Sequence, residues 1–192
     1  MSGLCALVCS ARVIARSSTA PRGTISFTRC SARAFTDLAQ AMARLGKPLI
    51  AAINGNAHAG GFSLVVACDM ALCAEDATLG LPEAANGLFP FLALAIVKDA
   101  LPKKVLFDLV YGARLMDAHE ARSLHLVNEV LPRGAVLDRA VAIAERACGY
   151  DVSIVRLGRD LYHNMRNLAP AQALEESGFA LIAALGAADE RR

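Results

Sequence analysis

Residues 51–72 read AAINGNAHAGGFSLVVACDMAL and bring together a histidine (His58), two adjacent glycines (Gly60 and Gly61), a serine (Ser63) and an aspartate (Asp69). Glycine inside regular structure costs roughly 0.5–1 kcal/mol against alanine, so the pair implies a backbone task. A strand that ends in glycines and hands over to a helix exposes free N–H groups at the positive end of the helix dipole, a setting that favours an anion or a developing oxyanion. A tight strand–helix packing point needing small residues accounts for the same pattern. The set could also suggest a Ser–His–Asp hydrolase, but there is no GxSxG elbow. Asp69 also lies six residues after Ser63, about 240° around a helix. Asp69 is instead read as a structural acid ending the helix, and His58 as a residue that lines a pocket or packs. Neither the GxGxxG fingerprint nor a Walker lysine is present.

The elements that must position these residues follow from the apolar pattern. FTDLAQAMARLG predicts a helix with Thr36 as N-cap, Leu38, Met42 and Leu45 on one face and Gly46 as terminator. After Lys47-Pro48, LIAAIN predicts a short buried strand of the parallel type. A helix is expected from Gly60 to Asp69, a strand at MALCAE and a loop at DATLGLPEAANG. Helices are expected at LALAIVKDAL and KKVLFDLVYG, and three amphipathic helices over about residues 134–187.

Bulk composition narrows the classes. The chain has 192 residues, 55% hydrophobic and 20% charged, with net charge +2, the balance of an ordinary globular protein. No basic face or set of aromatic platforms points to nucleic acid. No apolar run reaches the ~18–20 residues of a membrane span. The six cysteines form no CxxC pair, which gives no support to a metal site; Cys68 and Cys73 are expected as buried free thiols of a reducing compartment. Residues 1–34 stand apart: five arginines, six serines and no Asp, Glu or Lys. That is the composition of an organelle transit peptide, but a misassigned start or a damaged reading frame is the preferred account, because the segment has no clear amphipathic moment and no obvious processing site. The segment 1–34 is expected to be disordered and residues 35–192 to form the domain, with a core over 47–132 and a helical region over 133–192. The cytoplasm is the expected compartment, or the mitochondrial matrix if residues 1–34 act as a transit peptide.

The run KPLIAAINGNAHAGGFSLVVACDMALCAEDATLGLPEAANGLFP, continued by LVYGARLMDAHEARSLHLVNEVLP, closely resembles the crotonase superfamily, the enoyl-CoA hydratase/isomerase enzymes, over roughly residues 36–190. The resemblance implies an α/β fold, here a partial spiral of ββα turns followed by a C-terminal helical region. It also implies binding of an acyl-CoA thioester, with coenzyme A as part of the substrate and no separate cofactor, and assembly as a homotrimer or hexamer. Such enzymes stabilise a thioester enolate between two backbone N–H groups. By position the resemblance makes Gly60 one of these donors, with Gly61 letting the helix start close to the ligand and Ala57, His58 and Ala59 beside it.

Hydratases of this family hold the added water between two glutamates, one three residues after the oxyanion glycine and the other twenty further on. Here those positions are Ser63 and Glu83. A serine hydroxyl holds a water but is no base near neutral pH without an activating partner. A single carboxylate still shuttles a proton between carbons, so with Glu83 as acid/base the residues suit isomerisation, while the resemblance gives hydratase, water addition at an enoyl-CoA double bond, as the family label. A loop carboxylate that caps a helix or faces solvent is the plainer account of Glu83. GLFPFLALAIV stands where the family has a glycine-rich stretch, so Phe89, Phe91 and Leu92 are expected either at the acyl site or in the core. Lys98, Lys103 and Lys104 are expected in solvent. Nothing in residues 1–35 matches the AGxDL-like segment that brings the second oxyanion donor, and the family pattern continues beyond AADERR. A catalytically dead structural subunit or a fragment is thus the alternative to an enzyme.

Overall fold

A computed structural model describes residues 7–10 and 25–189, with side chains described over 32–187. The strands are β1 (Leu7–Ser10), β2 (Leu49–Ile53), β3 (Ala57–His58), β4 (Met70–Ala74), β5 (Thr78–Gly80), β6 (Leu115–Asp117) and β7 (Glu129–Leu131). The helices are α1 (Ile25–Ala43), α2 (Gly60–Ala67), α3 (Phe91–Val97), α4 (Lys103–Tyr111), α5 (Ala118–Ser123), α6 (Val136–Cys148), α7 (Val152–Met165) and α8 (Pro170–Asp189).

β2 is buried at all five positions because strands pair with it on both edges. The main sheet runs β1-β2-β4-β7 and is parallel throughout, with Ile50 opposite Met70 and Leu72 opposite Glu129. That explains the unbroken apolar runs at β2 and β4, since a parallel strand covered on both faces has no solvent side to alternate toward. α6 lies against β2 and β4 through Val136, Ala140 and Ala144, whose small side chains admit close approach. A second, smaller sheet runs β3-β5-β6, with β3 and β5 parallel and β5 and β6 antiparallel. Phe62, Leu72, Leu79, Leu81, Leu109 and Met116 are among the largest wholly buried side chains.

Several expectations need correction. α1 does not begin at Thr36: it starts at Ile25, and the Thr36 hydroxyl donates to the Ala32 carbonyl one turn back. A threonine inside a helix satisfies its hydroxyl that way, so its side chain alone does not mark a start. Of the expected apolar face, Met42 is buried while Leu38 and Leu45 stay exposed. α2 stops at Ala67, so Asp69 does not end it. The stretch 76–87 is not all loop, because it holds β5 and a 3₁₀ turn over Pro82–Asn86. Strands of two or three residues carry too little alternation to show in a sequence. The three C-terminal helices fall where expected, although α8 is apolar on much of its girth and exposes Leu174, Phe179, Leu181, Ile182 and Leu185. The expected disorder of residues 1–34 concerns mostly positions outside the described residues.

Cys73 is a buried free thiol whose pKa is pushed up to about 12 by burial and by the nearby Asp76 carboxylate, whereas Cys68 is half-buried rather than buried. Among the described residues no helix is long and apolar enough to cross a membrane.

Candidate active site

β3 runs into α2 through Ala59, the residue that shapes this junction. Ala59 holds φ 55° and ψ −125°, a backbone conformation that costs an L-residue energy, and its N–H donates to the Gly80 carbonyl at 2.9 Å. No side chain caps α2. The N–H groups of Gly60, Gly61 and Phe62 stand in the first helical turn, where no intrahelical acceptor exists, so the positive end of α2 carries donors that suit an oxygen acceptor. Phe35 of α1 lies against this turn: a side-chain carbon at Gly60 would sit 3.2 Å from the Phe35 ring. Phe35 is thus a site neighbour that sequence reasoning missed. Its one signal was an aromatic at the start of an expected helix.

Glu83 comes from the neighbouring strand. β5 pairs with β3 in parallel, His58 opposite Gly80, so Gly60 and Glu83 follow the two strands out at the same end. The buried Leu81 anchors the chain just before Glu83, Pro82 opens the 3₁₀ turn, and Gly87 closes it with φ 73°. Glu83 Oε2 is buried and has no hydrogen-bond partner among the described residues. Burial pushes the Glu83 carboxyl above the usual carboxylate range, against the opposing pull of its own backbone N–H. A half-buried carboxyl that keeps one buried oxygen without a partner, and whose pKa burial raises, has the character of a proton-transfer group.

Ser63 is wholly buried, and its hydroxyl donates to the Gly60 carbonyl at 2.8 Å. That proton is spent inside α2. His58 Nε2 lies 2.9 Å from Thr78 Oγ1, and burial holds the imidazole pKa below its ordinary value, so the ring is neutral near pH 7. Asp69 accepts from the Leu49 N–H at 2.7 Å and from Arg159 Nε at 2.8 Å, tying the start of β2 to α7. Ser63, His58 and Asp69 thus have three separate sets of partners, and no hydrolase triad forms. Ala57 is buried in β3. Phe89 packs half-buried against the core, whereas Phe91 is 74% and Leu92 41% exposed, so only the first behaves as a core residue. Lys98 is exposed and paired with Asp99 at 2.6 Å. A cavity of about 650 Å³ opens at the other end of α2, among Ala43, Val66, Asp69, Arg159 and His163; neither Gly60 nor Glu83 lines it. The second donor that the resemblance implies has no matching segment in residues 1–35, of which 1–6 and 11–24 lie outside the described residues.

Glycine turn, short helix and returning acidic loop on a ββα framework define a crotonase-fold protein. The model describing the family "Enoyl-CoA hydratase/isomerase" matches residues 18–180, and the chain belongs to that family. A putative enoyl-CoA hydratase of Thermus thermophilus is 38% identical over 137 residues, which is 71% of this chain and 52% of that protein. A carnitinyl-CoA dehydratase of Citrobacter koseri is 38% identical over 103 residues, 53% of this chain and 40% of that protein. The chain therefore spans about half or less of these relatives' length. Among solved structures, human enoyl coenzyme A hydratase domain-containing protein 3 superposes with a TM-score of 0.83 at 21% identity, over 87% of this chain and 66% of that one, a likeness of fold. DspI of Pseudomonas aeruginosa superposes with a TM-score of 0.80 at 26% identity, over 86% and 68% of the two chains.

Proposed function

We propose that this protein binds an acyl-CoA thioester, stabilises its enolate at the Gly60 N–H and moves a proton with Glu83 alone. In this reading an ionised Glu83 removes a proton from the carbon between the thioester and a 3,4 double bond. The electron pair moves onto the thioester oxygen, where the α2 terminus receives the charge. Glu83 then returns the proton to the fourth carbon as the enolate collapses to the 2-enoyl thioester. No atom is gained or lost, so one carboxyl is sufficient.

The observation that carries the reading is the buried, unpartnered Glu83 oxygen, taken together with a Ser63 hydroxyl that donates within its own helix. Water addition calls for a second group to hold and deprotonate water, and Ser63 is a poor candidate. The family relationship supports the acyl-CoA class, and names such as enoyl-CoA hydratase among the relatives keep hydration as the competing outcome. Incubation with 3-hexenoyl-CoA and crotonyl-CoA, with products resolved by mass and retention time, decides between them. Double-bond migration without mass change is expected. Water addition to crotonyl-CoA would overturn the single-carboxyl reading, and folded protein that does neither would leave the structural-subunit alternative. The exposed apolar residues of α8 support self-assembly as a trimer or hexamer, which light scattering measures directly.

A further inference from the structure

The two groups on which the proposed reaction depends hang from very short strands. β3 is two residues long and leads to Gly60; β5 is three long and leads to Glu83. Their ladder consists of Ala57 opposite Leu79 and His58 opposite Gly80, prolonged by the Ala59 N–H to Gly80 carbonyl bond. Strands usually run about five to six residues, so this pairing supplies little backbone rigidity of its own.

Side chains add what the ladder lacks. His58 Nε2 meets Thr78 Oγ1 at 2.9 Å, and the Asn56 side-chain oxygen accepts the Thr78 N–H at 3.0 Å. Thr78 is thereby tied to residues on both sides of Ala57. The opposite edge of β5 has no slack, since a Cβ at Gly80 would lie only 2.8 Å from the Arg114 carbonyl oxygen. β5 is wedged on one edge and tethered on the other.

We propose that the His58–Thr78 hydrogen bond is a positioning clamp that sets the spacing between the Gly60 N–H and the Glu83 carboxyl. The clamp rests on the reading of those two groups as oxyanion donor and acid/base. It acts through them, and neither His58 nor Thr78 takes part in the proton transfer. A base misplaced relative to the developing oxyanion raises the barrier to chemistry while leaving ground-state binding of the thioester largely intact. The loss therefore falls on kcat rather than KM. A bond that merely held the fold together would alter the folded fraction and leave the turnover of folded molecules unchanged.

The test is isomerisation of 3-hexenoyl-CoA by His58→Leu, Thr78→Val, the double variant and Thr78→Ser, each normalised to its folded fraction by circular dichroism. Loss of one hydrogen bond predicts a fall in kcat of roughly three- to tenfold for each single variant, with KM within about twofold. The double variant should be no slower than the worse single one, because both remove the same bond. Thr78→Ser, which keeps the hydroxyl, should restore most of the rate. Unchanged kcat, losses that multiply in the double variant, or losses confined to KM or to the folded fraction would overturn the clamp alone. A folded wild type without activity would overturn the reading of Gly60 and Glu83, and the clamp with it.

Discussion

Replacing Ala59 by glycine should stabilise this protein, although nearly every alanine-to-glycine change destabilises. At φ 55° and ψ −125° Ala59 occupies a region that L-residues rarely adopt, at a cost of about 1–3 kcal/mol. Glycine removes that cost. Against it stands the greater freedom of glycine in the unfolded chain, about 0.4–1 kcal/mol. The half-buried methyl group forfeits at most about 0.8 kcal/mol, and less here because part of it already meets water. Taking about 2 kcal/mol for the strain leaves a net gain of roughly 0.5–1 kcal/mol, equivalent to about 1–4 °C in Tm for a protein of this size. Differential scanning calorimetry of wild type and Ala59→Gly would measure it, with chemical denaturation as a second readout. A fall in Tm of a degree or more would show that the junction between β3 and α2 is relaxed with alanine present. The conservative control is Ala59→Val, which should lose stability, because a β-branched side chain fits this backbone worse than alanine does.

Three further outcomes follow from the geometry. Glu83→Gln should lower isomerisation by about 10²–10⁴-fold, and the wild-type rate should rise with pH through a value above the ordinary carboxylate range, because ionised Glu83 is the base. Stability should move the other way: a raised folded-state pKa contributes stability at low pH that is lost as pH climbs through it, so Glu83→Gln should gain in relative Tm from acid to neutral pH, and a flat difference would contradict the burial argument. Arg159→Leu should cost about 2–3 kcal/mol in urea denaturation, since the buried guanidinium serves Asp69 and the Ala43 and Met42 carbonyls together, although the partly exposed Asp69 recovers some hydration; a loss under about 1 kcal/mol would argue against this cluster as the tie between α7 and β2. Gly80→Ala should lower Tm by several degrees, because its Cβ would press on the Arg114 backbone oxygen rather than on a movable side chain, and an unchanged Tm would show that β6 is free to shift.

The amino-acid order alone determined the long and repetitive features. β2 and β4 were legible as unbroken apolar runs, α4 and α6 as amphipathic stripes, and the Gly60–Gly61 turn as glycine where glycine is costly, because each signal is local and spans several residues. The resemblance to the enoyl-CoA hydratase/isomerase family, carried over by position, implied Glu83 as the group to examine. Tertiary structure decided what distance in the chain conceals. Thr78 reaches His58 from twenty residues away, and Arg159 reaches Asp69 from ninety, so neither bond leaves a mark on the local pattern. β3, β5 and β6 exist only because neighbouring strands complete their hydrogen bonds; on their own, two or three residues have no preference strong enough to read. The strain at Ala59 and the inward donation of the Ser63 hydroxyl are also set by packing, since the residue type limits what a side chain is able to do and its neighbours select what it does.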